Sequence, residues 1–334
     1  MLAKKSASSP LTILQRPSIL QSTLPAIGYA TLGTATALAS YVAAPALGAT
    51  GIAIIVGSIA IPTVATGVQF ASLGGTGIAK SLGGTPASSY LVNLAHDAAA
   101  AVGAPKPANV FVLDKQEPNA LATGVNSKDA TVAVTKGLVD LLSARELKAV
   151  LAHEMGHLKN LDVNRNMHIA LATVGLGGIY EAGRYLLDVG TSRDRSKKKD
   201  KDEGGGSVAG LGLAMMGAGL ASQGTAHLLR LTASRQAELR ADAAAAEAFG
   251  ADALISALTK IHERGARVSD LRSSSTGRAY AFAMISGDPT PAGTNPTAER
   301  TWWQRATSML RTHPGLEERV QSLQDLVAAG EVSR

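Results

Sequence analysis

The chain predicts a mainly helical (α+β) fold, a small β-sheet set against helices and preceded by a helical hairpin apolar enough to cross a membrane. Three observations carry that prediction. Capped segments with apolar residues at helical spacing recur from residue 88 onward. Two short strand-like runs, 108–113 and 131–135, lie between the first two of them. No charged residue stands between Arg16 and Lys80, and that stretch holds two segments, 24–44 and 50–72, each long enough to cross about 30 Å of hydrocarbon.

Residues 1–22 read as a basic leader, with Lys4, Lys5 and Arg16 and no acidic residue before Asp97; this composition also suits an organellar transit peptide. Residues 23–75 read as the transmembrane hairpin, reversing at Pro45-Ala46-Leu47-Gly48. The turn is uncharged while Lys4, Lys5, Arg16 and Lys80 flank the pair. The positive-inside rule therefore puts the following domain on the cytoplasmic-equivalent side of a bacterial plasma membrane or an organellar membrane.

Residues 85–334 read as one domain with an apolar and charged insertion at about 167–229. Its first helix covers 88–101 and stops at Val102-Gly103-Ala104-Pro105. The two strands follow, around a loop holding Asn119. A second helix starts at the capping box Ser143-x-x-Glu146 and carries Leu147, Val150, Leu151 and Leu158 on one face. In the insertion, 167–180 is apolar until Glu181 and Arg184, and 204–229 is uncharged and long enough to span. The charged run 193–203 between them is solvated. If both segments spanned, that cationic run would face the wrong side, so a dipping or laterally packed hairpin stands beside two true spans. Residues 243–249 are helical and end at Gly250, 252–264 form a helix stopped by Gly265, and 286–298 form a loop. A last helix over 313–329 buries Leu316, Val320, Leu323 and Leu326.

The net charge of +6 and pI near 9.5 lie largely in the leader and the 193–203 run. No nucleic-acid-binding motif accompanies them, so lipid headgroups are the expected partner and nucleic acid is not. The chain contains no cysteine, which excludes a thiol nucleophile. Oligomeric state cannot be read from the sequence.

The chemistry concentrates in His153-Glu154-Met155-Gly156-His157, an H-E-x-x-H on the second helix. Positions i and i+4 share a face, so both imidazoles can bind one metal ion, and Glu154 can reach a metal-activated water without ligating. This points to a zinc-dependent peptidase with one Zn2+ per chain. The metzincin extension fails, since Asn160 and Val163 stand where Gly and His would be required. His168, three turns beyond His157, cannot reach the same ion. The better third donor is Glu238, with Asp242 one turn later as a carboxylate to orient a ligating histidine. His96, His227 and His262 read as ordinary helix residues.

Four segments carry a resemblance to the HtpX-like membrane zinc metallopeptidases, relatives of the type I CAAX prenyl protease. They are Pro118-Asn119-Ala120-Leu121-Ala122-Thr123-Gly124, the Leu151–His157 segment, the Ser234–Asp242 segment, and Thr312-His313-Pro314-Gly315-Leu316-Glu317-Glu318-Arg319. The likeness runs over about residues 88 to 325; Leu121 departs from it, where Phe is common. The resemblance implies a gluzincin-type domain, with His153, His157 and Glu238 as zinc ligands, Glu154 as general base and Asp242 behind a ligating histidine. It also implies that Asn119 and His313 contact the substrate or the developing oxyanion. In such a peptidase the 131–135 strand is expected to offer an open edge to an extended substrate. The implied activity is hydrolysis of membrane or misfolded proteins. Prenyl-protein processing, or a membrane scaffold with a structural zinc, are the alternatives; an intact Glu154 argues against the scaffold.

Overall fold

In the computed structural model, which describes residues 19–124, 128–196, 204–265, 267–268, 270–271, 285 and 314–334, the chain runs α1 (Ile19–Ser81), β1 (Gly84–Pro86), α2 (Ser89–Val102), β2 (Asn109–Leu113), β3 (Ala120–Thr123), β4 (Thr131–Thr135), α3 (Lys136–Leu141), α4 (Ala144–Lys159), α5 (Asp162–Ser196), α6 (Gly204–Phe249), α7 (Ala251–Gly265) and α8 (Leu316–Ala328). Most of the expected leader, part of the charged run, the 286–298 loop and His313 lie outside the described residues. The described chain forms two compact units, residues 72–164 with 231–334, and residues 19–71 with 165–230.

The first unit is built around α4. Ser143 accepts a hydrogen bond from Glu146 N, and the Glu146 carboxylate accepts from Ser143 N, so both helix-end donors are satisfied. Leu147, Val150 and Leu151 share one buried core with Leu91 and Leu94 of α2, Val132 and Val134 of β4, and Leu254 and Leu258 of α7. Leu323 and Leu326 of α8 complete this core, as the helical spacing of the last segment predicts. On the rim of α4, Glu146 also accepts from Ser256 and pairs with Lys260, tying α4 to α7.

The sheet has the order β1-β2-β4-β3, with β2 parallel to β4 and the other pairs antiparallel. This corrects the expectation of an open edge at 131–135. β4 is interior and buried throughout, held by β2 on one side and β3 on the other, and the strand beside it that has one sheet neighbour is β3. Residues 120–123 (Ala-Leu-Ala-Thr) have little β propensity of their own; register with β4 and burial of all four make them a strand. The three-residue β1, Gly-Thr-Pro, is a strand through its register with β2, although it is largely exposed.

The second unit takes its shape from α1. Leu32 and Thr63 both crowd Gly175, where a Cβ would stand 2.5 Å from a Leu32 methyl and 2.8 Å from Thr63 Oγ1. In a straight helix two residues 31 positions apart would be about 46 Å apart. The chain therefore reverses between them, and midway Gly48 adopts φ +59°, the left-handed conformation that glycine accepts most readily. α5 and α6 run antiparallel and in close approach; a Cβ on Gly183 would lie 2.7 Å from Gly212 O, and one on Gly212 would lie 2.5 Å from Leu187 N. Ile55, Ile59, Leu176, Ile179, Leu186 and Val208 fill the space between. Among the described residues no helix is long and apolar enough to cross a membrane.

Candidate metal centre

Two helices supply the site, and the i,i+4 rule works on each. α4 presents His153 and His157 from one face, and α6 presents Glu238 and Asp242 from one of its own. They meet at Gly156, whose missing side chain lets Ala241 come close. α6 is continuous from Gly204 to Phe249, so the apolar 204–229 segment and the acidic pair belong to a single helix.

His153 Nε2 and His157 Nε2 face each other at 3.2 Å. Glu238 reaches both, its Oε2 at 3.4 Å from the first and its Oε1 at 3.5 Å from the second. One donor atom from each of the three residues lies within 4.8 Å of the other two. Behind this triplet, His153 Nδ1 is 2.8 Å from Asp242 Oδ1, and His157 Nδ1 is 3.0 Å from Asp162 Oδ2. With each Nδ1–H directed at a carboxylate, the Nε2 lone pairs of both rings point into the same small space. Two lone pairs at that distance repel unless a proton or a metal ion lies between them. Two imidazoles, a carboxylate and carboxylates behind both rings are the donor set of a borderline metal such as zinc.

The electrostatics point the same way. Burial lowers the basicity of His153, but Asp242 and Glu238 outweigh it and raise its pKa to about 9, so without metal the ring itself is protonated near neutral pH. Burial would raise the Asp242 carboxyl; Arg319 beside it holds it below the ordinary range instead. Arg319 donates from Nε to Asp242 Oδ2 at 2.7 Å and from Nη2 to Oδ1 at 2.5 Å, a two-pronged clamp. Glu154 differs from all of these. It is buried, burial pushes its pKa up, and neither carboxylate oxygen has a hydrogen-bond partner among the described residues.

Asn119 is fully buried; its Oδ1 accepts from Ala120 N at 3.1 Å and its Nδ2 donates to Glu117 Oε1 at 3.4 Å. Its strand is tied to the centre at one remove, since Ala120 O accepts from Ile285 N and Ile285 O accepts from Arg319 Nη1. The structure therefore brings His153, Glu154, His157, Glu238 and Asp242 together, whereas His313 lies outside the described residues. Sequence reasoning assigned no role to Arg319, Asp162 or Arg240. Arg319 ends a quoted motif and was findable there. Asp162 was findable from a rule, because each ligating histidine needs a partner on its second nitrogen and only one aspartate had been supplied for two. Arg240, between Glu238 and Asp242 in sequence, carries no such signal.

Residues 87–327 match Peptidase family M48. The chain is 33% identical over 240 residues to a Protease HtpX homolog of Dictyoglomus thermophilum, covering 70% of this chain and 68% of that one. It is 32% identical over 256 residues to the Protease HtpX homolog of Thermoanaerobacter pseudethanolicus, covering 74% and 76%. The crystal structure of S. mikatae Ste24p is similar at 20% identity with a TM-score of 0.44, over 93% of this chain and 66% of that one. The match across 87–327 and the identity to the HtpX homologs bear out the resemblance carried by the four segments: the chain belongs to peptidase family M48 and is a metallopeptidase.

Proposed function

We propose that this chain is a membrane-anchored, zinc-dependent endopeptidase that cleaves peptide bonds in membrane or misfolded proteins. The observation that carries the reading is the convergence of His153, His157 and Glu238 next to a buried Glu154 carboxylate with no hydrogen-bond partner among the described residues. A structural metal site has no use for such a group.

His153, His157 and Glu238 would hold the zinc, which when bound would supply Lewis acidity and bring the pKa of water toward neutrality. Glu154 takes the proton as water attacks a peptide carbonyl, then returns it to the leaving amine. Its raised pKa suits both halves of that task, because a carboxylate of ordinary acidity would be a poorer base. Asp242 keeps His153 oriented, and Arg319 keeps Asp242 ionised and in place. His313 is assigned to the developing oxyanion. Asn119 is assigned to the substrate backbone beside β3, an edge strand of the sheet.

Anchoring rests on the uncharged stretch between Arg16 and Lys80 and on its reversal at Gly48. Apolar side chains also face outward from it, with Tyr41 80% and Ile61 70% exposed, surface that lipid would cover. By the positive-inside rule, the flanking cations favour the cytoplasmic-equivalent side for the peptidase domain. The substrates are proteins, the surrounding partner is lipid, and nucleic acid is not a partner.

The test is proteolysis of an unfolded protein by detergent-purified wild type and Glu154→Gln, with zinc measured in both. Cleavage by the wild type alone, with equal zinc in the two, supports the reading. Zinc in both with cleavage by neither would favour a scaffold.

A further inference from the structure

We infer that Asp162 is a positioning residue for the metal centre, acting through His157, with Arg240 as its anchor. The role rests on the zinc reading above but uses residues that lie outside the ligand set. Asp162 Oδ2 is 3.0 Å from His157 Nδ1, and Asp162 Oδ1 accepts from Arg240 Nη2 at 3.0 Å. Asp162 is 1% exposed and Arg240 3%. The arrangement repeats His153–Asp242–Arg319 with a different aspartate and a different arginine, so each imidazole has its own carboxylate and each carboxylate its own guanidinium.

The backbone is bent to achieve this. Asp162 opens α5 three residues after Lys159 ends α4, and the residue before it, Leu161, has φ +54°. A branched, non-glycine residue in that region is strained, and such strain persists only where the surroundings hold it. Leu161 is 63% exposed, so packing of its own side chain does not explain the conformation. The turn folds the chain back so that the first side chain of α5 meets the last histidine of α4.

The chemical consequence is a choice of tautomer. With Asp162 accepting from Nδ1–H, His157 keeps Nε2 unprotonated and aimed at Glu238 and His153. Without that acceptor the ring can rotate or carry its proton on Nε2, and either change removes a ligand. Arg240 neutralises Asp162 in a site where a lone buried carboxylate would be costly.

The experiment compares zinc affinity, by chelator competition, in wild type, Asp162→Asn and the double variant Asp162→Asn/Arg240→Gln. Imidazole nitrogen chemical shifts report the His157 tautomer, and far-ultraviolet circular dichroism checks the fold of each. Asp162→Asn is expected to lower affinity about 10- to 100-fold and to shift His157 toward the Nε2–H form. The double variant, which leaves no uncompensated charge, should show the same loss and the same shift. Wild-type affinity in Asp162→Asn, or affinity restored in the double variant, would overturn the inference, since the aspartate would then serve only charge balance. A wild-type chain that binds no zinc would overturn the underlying reading as well.

Discussion

Gly156 lies so close to Ala241 that a Cβ placed on it would stand 3.1 Å from Ala241 Cα and 3.3 Å from Ala241 Cβ. The spacing between the two ligand-bearing helices is set at this point, between the two histidines on one side and between Glu238 and Asp242 on the other. Gly156→Ala should be nearly neutral, because a gain in helix propensity of about 1 kcal/mol offsets a shift of a few tenths of an ångström. Gly156→Val should cost about 1–3 kcal/mol and also release zinc, since Glu238 would be pushed away from both rings. Thermal melts and zinc content of the two variants check this; a zinc-replete Gly156→Val would show that the helices can separate without harm.

Glu238 touches both imidazoles, at 3.4 and 3.5 Å. Removing it in Glu238→Ala should lower zinc affinity by at least about tenfold, more than loss of a residue standing behind a ligand. Unchanged affinity by chelator competition would mean that a different group completes the site.

Metal uptake should depend on pH in a defined sense. In the metal-free chain the His153 pKa stands at about 9, so near neutral pH the ring carries a proton that an incoming ion must displace. Apparent affinity should therefore rise about tenfold per pH unit up to about pH 9 and then level off. Calorimetric titrations in buffers of different ionisation enthalpy count the released protons; a count of zero at pH 7 would contradict the prediction.

Glu146 supplies a stability term with the opposite dependence. Burial raises its pKa, but Lys260, Ser256 and Ser143 outweigh that and hold it at about 2. A depressed pKa contributes stability that is fully present above the unfolded value of 4.5 and is lost as pH falls toward 2. Because Lys260 is 42% exposed and screened by solvent, the contribution is put at about 1–3 kcal/mol. Chemical unfolding of wild type and Glu146→Gln should differ by that amount at pH 6 and converge by about pH 2. A difference that stays constant with pH would assign the effect to packing.

Much of the site was legible in the sequence because helices impose a period. His153 with His157, and Glu238 with Asp242, are each four residues apart, and that spacing alone puts each pair on a face. The capping box at Ser143 and Glu146 was legible for the same reason, since its signals lie within one turn. β3 was not legible, because Ala-Leu-Ala-Thr becomes a strand only through β4, and that pairing also reverses which strand stands at the edge. Nor was the turn at Leu161 foreseeable. Its conformation opposes the local preference of leucine, so no local rule could have produced it, and Asp162 reaches His157 through that turn. The turn expected at Pro45-Ala46-Leu47-Gly48 rests on local preference, and Gly48 does adopt the left-handed conformation that such a turn would use.

Glu154 has a consequence for how variants of this protein would fare in selection. A carboxyl group buried without a hydrogen-bond partner among the described residues adds nothing to folding, and replacing it with a neutral or apolar group should raise the melting temperature. A screen that rewards only folded yield would therefore enrich chains lacking it, and the variants that looked best would be inert. Position 154 is where thermal robustness and catalytic competence pull in opposite directions, so libraries sorted by stability alone would need it held constant.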